Sequence, residues 1–230
     1  MSTAAEIIAR VRSWSTSQDT TVLSNTEILK IMNDVAREAV DENDIWFCFG
    51  SGTTPLVYGG WTADLPDRLA RPVTVFAGSG LSRSYYTHLT YEEFKILYLG
   101  ESDVTTEDYY DTGPHYTLFG TEMWFGPPSS AALSLPGDPP QPAPSITITV
   151  EGLYYEPDLN LTSSTTNEFT DRAESFLLFA TLERLTKFKF EEETRLGLFE
   201  QEKKKALNRI RAVGDLQENL ARRAKSRRKG

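Results

Sequence analysis

The residues able to carry acid–base, nucleophilic or metal chemistry in this sequence are few. There are two histidines, His88 and His115, and one cysteine, Cys48. No cluster with the spacing of a zinc site is present, and a metal centre would have to be built from carboxylates alone. Cys48 stands in the aromatic run Ile45-Trp46-Phe47-Cys48-Phe49, read as a strand, where a thiol is far more often a small core residue than a nucleophile. Gly78-Ser79-Gly80 lacks the outer spacing of a nucleophile elbow. Gly50-Ser51-Gly52-Thr53-Thr54 has no Lys before the hydroxyl and no helix after it, so it reads as a turn and not as a phosphate loop. The acids Asp103, Glu107, Asp108 and Asp111 are the one group that could pair a general acid with a general base. Beside Tyr109 and Tyr110 they read equally well as a solvated contact surface. Asn160-Leu161-Thr162 matches a glycosylation sequon, which without a secretion signal is accidental. No catalytic residue, cofactor or metal site is expected.

The elements that would position such groups fall into three stretches. Thr3-Ala4-Ala5-Glu6 and Ser24-Asn25-Thr26-Glu27 both have the form of a capping box. Ile7, Ile8, Val11 and Trp14 follow the first, and Ile28, Ile31, Met32, Val35 and Ala39 follow the second, so two amphipathic helices open the chain, the second ending near Asp44. From Ile45 the texture is β-prone. Pro72 to Phe76 reads as a strand, and Tyr91 to Leu99 as a short helix or a strand. Tyr116 to Phe125 reads as a hairpin turning at Gly120-Thr121. Five prolines between Pro136 and Pro144 make a loop, and Ser145 to Tyr155 makes a strand closed by Pro157. Helix returns after the Ser/Thr-rich connector Thr162 to Thr166. Ala173, Phe176, Leu177 and Ala180, with Leu178, Leu182 and Leu185 beside them, mark a third helix buried round much of its girth. A fourth begins near Glu192, with Leu196, Phe199, Ala206, Ile210, Val213 and Leu220 as a heptad-like seam broken at Lys203 and Gln217. The fold class expected is α+β: a helical bundle from residues 1–44 and 167–220, and a β-rich insertion over 45–166, either a β-sandwich or a small antiparallel sheet.

Charge is distributed unevenly. The chain of 230 residues carries a formal net charge of −9. Its last ten residues hold Arg222, Arg223, Lys225, Arg227, Arg228 and Lys229 and no acid, a local +6 that leaves −15 on the other 220. Residues 221–230 therefore read as a basic docking tail leaving the last helix. Between Lys95 and Arg172 no Lys or Arg occurs while acids run throughout, Glu101, Asp103, Glu107, Asp108 and Asp111 among them. A sequence pI near 4.9 excludes a general nucleic-acid binder, whose affinity rests on basic groups displacing counterions. A single cysteine excludes a disulfide framework within the chain and asks for no oxidising compartment. No apolar run approaches the roughly 18 residues of a membrane span, so a soluble protein made in the cytoplasm, with no membrane partner, is expected.

The succession of these stretches resembles the head-to-tail adaptor proteins of tailed bacteriophages, also called connector or head-completion proteins. The likeness rests on Thr26 to Asn43 before an aromatic strand, on the hairpin Tyr116 to Pro128 followed by Thr147 to Asp158 with its Tyr-Tyr-x-Pro-Asp-Leu end, and on Phe169 to Leu185 leading into Glu191 to Ile210. The chain departs from the common form in the acidic, Tyr-rich Tyr85 to Asp111 and in Pro136 to Pro144. The resemblance implies a structural virion protein and no enzyme. It would form a ring of twelve copies below the portal after packaging, at the head–tail junction of the virion and in the host cytoplasm during assembly, extend the channel through which double-stranded DNA passes without sequence-specific binding, and offer a platform to tail or nozzle proteins. It implies portal contacts at Arg222, Arg223, Lys225, Arg227, Arg228 and Lys229. Subunit or tail contacts fall at Leu196, Phe199, Ile210, Val213, Tyr109 and Tyr110, and channel or rim acids at Glu101, Asp103, Glu107, Asp108 and Asp111. The alternative is a binding module whose aromatics, Trp61, Tyr85, Tyr86, Tyr109 and Tyr110, hold a glycan or a peptide.

Overall fold

The computed structural model describes residues 2–15, 23–57, 60–78, 83–99, 114–126, 145–160, 166–190 and 193–227, the last eleven of these by backbone alone. The chain divides into two compact units, one of residues Met1–Phe49 with Tyr154–Gly230 and one of Gly50–Leu153.

The first unit is helical. Helix α1 (Ala4–Trp14) and helix α2 (Asn25–Glu42) each start with a complete capping box, from Thr3 with Glu6 and from Ser24 with Glu27. Each box satisfies free amide donors at its helix start. Most of each apolar stripe is buried, Ile7, Ile8 and Val11 in α1 and Ile28, Met32, Val35 and Ala39 in α2, whereas Ile31 is half-buried and Trp14, expected in the first stripe, is exposed. The expected third helix is two, α4 (Glu168–Arg172) and α5 (Glu174–Leu185), parted at Ala173, whose φ of −132° and ψ of 26° leave the helical region. Helix α5 is apolar round its girth because it packs against α1, α2 and the last helix at once. Its buried residues include Phe176, Leu177, Leu178, Ala180, Leu182 and Leu185. A π-helical turn, Thr186–Phe190, precedes α6 (Glu193–Arg227). That helix runs past the expected end near Leu220, because Leu220 to Arg227 contains only good helix formers, Ser226 apart, and neither Gly nor Pro. The backbone of the basic residues is thus helical as far as Arg227, while Arg228 and Lys229 lie outside the described residues.

The aromatic run expected to be a strand is a 3₁₀ turn at Trp46–Cys48, and strand β1 starts only at Phe49. Gly50 to Thr54, expected as a turn, lies within that strand. The second unit holds strands β1 (Phe49–Val57), β2 (Thr62–Asp64), β3 (Leu69–Ala77), β4 (Ser84–His88), β5 (His115–Phe119), β6 (Glu122–Gly126) and β7 (Ser145–Tyr154) in one sheet of order β1-β7-β3-β4-β5-β6-β2. Tyr91–Tyr98 is a helix, α3, capped by Thr90 and Glu93. It lies in the connection between β4 and β5, which pair in parallel, as such a crossover allows and a tight turn does not. The sheet is therefore mixed, which corrects the antiparallel expectation. It is also strongly curled. Strands β1 and β2 end the order on opposite sides, yet they are joined by residues 58–61 alone, with the Gly60 amide donating to the Val57 carbonyl at 2.9 Å. Seven strands laid flat would part the outer two by roughly 29 Å, whereas five residue steps reach about 18 Å at most. Leu56, Ala63, Val75, Tyr116, Met123, Phe125, Ile148 and Val150, drawn from six of the strands, fill one shared core inside the curl. On the other face α3 packs over β5. There Gly126 gives way to the Tyr98 ring, which would lie 2.6 Å from a Cβ at that position.

Among the described residues no helix is long and apolar enough to cross a membrane.

Candidate functional site

Helix α6 is the element on which a contact surface can be built. At 35 residues it extends about 52 Å, and only part of it is used inside the chain. Phe199, Ala206 and Ile210 are buried, Leu196 is half-buried, and Val213 and Leu216 are 44% and 64% exposed. The expected break in the seam at Lys203 is an ion pair, its Nζ 2.7 Å from Glu183 Oε2. The seam thus starts as a packing stripe and runs on as uncovered apolar surface.

A groove of about 460 Å³ opens beside it, lined by the 3₁₀ turn (Trp46, Phe47), by the α4–α5 junction (Asp171 to Phe176) and by Ala206, Arg209, Ile210 and Val213 of α6. Its aromatic wall is fixed from several sides. Trp46 and Phe47 meet edge to face at 5.5 Å, and Phe47 meets Phe169 likewise at 5.1 Å. The Arg172 guanidinium lies over the Trp46 ring at 4.9 Å and pairs with Glu168 one turn back, a cation–π contact that leaves the charge at the groove. Gly214 lets α6 approach Trp46, since a Cβ there would meet the indole at 3.1 Å. Glu174 is held by Arg10 and by the Ser2 hydroxyl at 2.7 Å. A second, smaller groove of about 370 Å³ is lined by Ser13, Trp14, Arg195, Leu198 and Phe199.

Of the residues singled out from sequence, Phe199 and Ile210 spend their surface inside their own unit, so among the described seam residues Leu196 and Val213 keep area for a neighbour. Arg222, Arg223, Lys225 and Arg227 stand on the last turns of α6. Tyr109, Tyr110, Glu101, Asp103, Glu107, Asp108 and Asp111 lie outside the described residues, as do Pro136 to Pro144. Of the aromatics expected to be exposed, Tyr85 is so, while Trp61 and Tyr86 are half-buried against Tyr98 and Phe125. Sequence reading missed the groove altogether. Its three walls come from positions about 125 and 35 residues apart, and only the seam residues Ala206, Ile210 and Val213 marked one of them.

Of the chemistry-bearing residues His88 is exposed, its ring beside Tyr116, and the other two are tied down. Cys48 is buried, and burial first, with Glu156 and Glu168 adding to it, pushes its thiol up to about 12. His115 is buried with its Nδ1 2.7 Å from the Tyr98 hydroxyl, so it serves the α3–β5 contact. Among the described residues no group of three or more His, Cys, Asp or Glu converges as a metal site.

No curated protein matches the chain. The family model described as SU10 adaptor protein matches residues 2–228. A match over nearly the whole length takes in both units and the basic end of α6, and on that ground the chain belongs to the SU10 adaptor protein family, which is a family of structural phage adaptors and not of enzymes.

Proposed function

We propose that this chain is a head-to-tail adaptor that assembles as a ring below the portal, extends the DNA channel and gives the tail or nozzle proteins their platform. The observation that carries the reading is the family match over residues 2–228. Helix α6 supports it: a stiff rod whose first half is packed, whose middle offers uncovered Val213 and Leu216, and whose end bears Arg222, Arg223, Lys225 and Arg227. Cations at a helix C-terminus are on the side the helix dipole favours, so the rod can end in dense positive charge at little cost and present it to acidic partner surfaces. Arg228 and Lys229 extend the same charge. In this reading the basic end docks on the portal, and Leu196 and Val213 face a neighbouring copy. The acids Glu101, Asp103, Glu107, Asp108 and Asp111, with Tyr109 and Tyr110, belong to the DNA-passing surface or to the rim that meets the tail. Like charge lowers affinity for phosphates, which suits a surface that DNA must pass without adhering.

The test is co-sedimentation of the full chain, and of the chain cut after Leu220, with the portal protein from the same source. The full chain is expected to pellet with portal and the shortened chain to stay in solution. Equal binding by both would overturn the docking role of the basic end. The glycan-module alternative has little to support it, since Trp61 and Tyr86 are half-buried against Tyr98 and Phe125.

A further inference from the structure

We infer that the outer face of strands β2, β5 and β6, where Tyr91 of α3 meets the tip of the β5–β6 hairpin, is a docking surface for an arginine-bearing segment of a tail or nozzle protein. That such a protein is there to dock rests on the adaptor reading above; the surface is a property of this chain. Register lays it down. Phe119 of β5 is opposite Glu122 of β6, and Glu122 is in turn opposite Asp64 of β2, so one row across three strands reads aromatic, acid, acid on a single face. The other face is the core, which takes Leu118, Met123 and Ala63 instead. Trp124, two residues from Glu122, lies on the outer face in the next row. Tyr91 stacks on Phe119 with ring centres 4.3 Å apart, and Trp124 meets both edge to face, at 6.1 Å from Phe119 and 6.3 Å from Tyr91. The three rings fix one another, yet Phe119 remains 51% exposed.

Charge singles out the occupant. Like charges directly opposite across a strand pair destabilise it, and among the described residues neither Asp64 nor Glu122 has an ion-pair partner. Asp64 is exposed and Glu122 half-buried, and Glu92, on the same first turn of α3 as Tyr91, adds an exposed third carboxylate. Residues 50–153 hold twelve acids and four bases. All four bases are already engaged: Arg83 lies over the Phe76 ring at 4.4 Å, and Arg68, Arg71 and Lys95 have contacts of their own. The cation that this row lacks therefore has to come from outside the unit. An anion finds no opening here, because the Thr90–Glu93 box closes the free amides at the start of α3. Of the cationic side chains arginine fits best, since its planar group stacks on aromatic faces and its fork can serve two carboxylates at once. In the adaptor reading the basic end of α6 is taken up by the portal, which leaves the tail side as the source.

The experiment immobilises the full chain and measures capture of the tail or nozzle protein from the same source, with capture of the portal in parallel. Asp64→Asn together with Glu122→Gln removes the like-charge pair, so the melting temperature is expected to stay level or rise, while tail capture falls by about tenfold and portal capture is unchanged. Phe119→Ser, used at an unchanged melting temperature, should lower tail capture to a similar degree. Thr121→p-benzoylphenylalanine, on the exposed turn between Phe119 and Glu122, is expected to cross-link on irradiation to an arginine-bearing peptide of the tail protein. Equal tail capture by native and variant chains, no tail capture at all, or cross-links to α6 of a second copy would each overturn the surface. A lower melting temperature in the doubly substituted chain would assign the acids to the fold and overturn it too. Failure of the native chain to capture portal overturns the ring reading alone, and the tail arm still decides the surface.

Discussion

Glu27 carries two structural duties at one carboxylate. It closes the capping box on the Ser24 amide and accepts from Lys189 Nζ at 2.9 Å. The Lys189 hydrogen bond first, and the Ser24 bonds after it, lower its pKa from the ordinary 4.5 to about 2. A carboxyl whose folded pKa is depressed contributes stability that is present above the unfolded value and lost as pH falls toward the folded one. Between about pH 5 and pH 2 the melting temperature is therefore expected to fall more steeply in the native chain than in Glu27→Gln, and parallel curves would contradict this. Glu93, lowered by Thr90 in the same way, adds to the slope. Cys48 gives a second expectation at this scale. With its thiol at about 12 almost no thiolate exists near pH 8, so an alkylating reagent should leave the folded chain unmodified and label it fully in denaturant, as mass spectrometry would read. This much was legible in the sequence: both capping boxes and the inert cysteine follow from local residue type. The partners Lys189 and Glu156 were not, because they are brought in by tertiary packing from more than 100 residues away.

Among the elements, glycines mark the closest approaches. A Cβ on Gly152 would lie 2.2 Å from the Arg71 carbonyl oxygen, a backbone atom with no room to yield. Gly152→Ala is thus expected to destabilise the β unit by about 1–3 kcal/mol, the usual range for overpacking, with a matching drop in the midpoint of urea unfolding. Gly120→Ala meets open space but sits at a φ of +63°, so its cost is backbone strain of about 1 kcal/mol. Phe94 is fully buried between α3 and the sheet, beside Tyr98 at 4.8 Å. Phe94→Ala should cost about 3–5 kcal/mol and release the half-buried rings that lean on α3. Most of these elements were readable from period and caps. The exceptions have physical reasons. Trp46 and Phe47 look like strand residues but serve as packing for Phe169, Arg172 and Gly214, so a 3₁₀ turn wins over β propensity. The parallel β4–β5 pair was hidden because period 2 says nothing about strand direction. Helix α6 runs on past Leu220 through a run of like charge, because Arg, Lys and Ala are among the best helix formers.

For the whole molecule the division of labour follows charge. Residues 193–230 hold twelve basic residues against five acids, while the preceding 192 hold twelve bases and twenty-eight acids. Such a chain repels the DNA backbone over most of its length and concentrates attraction in one helix. Binding to an acidic partner through that helix should weaken as salt rises from 50 to 500 mM, because exposed charges are screened within a few ångströms at the upper value. Unchanged binding across that range would place the contact on Val213 and Leu216 instead. Nothing in the sequence revealed the groove beside Trp46, since its walls meet only in three dimensions, whereas the basic end and the apolar seam were visible as residue types at fixed spacing. The central claim is that this family member completes a head by standing in a ring beneath the portal. Electron microscopy of the purified chain mixed with the portal from its own source, with symmetry analysis and the chain alone beside it, tests that claim most directly. A ring of adaptor density stacked under the portal is the result expected; portal particles without added density, next to a stable free monomer, would contradict it.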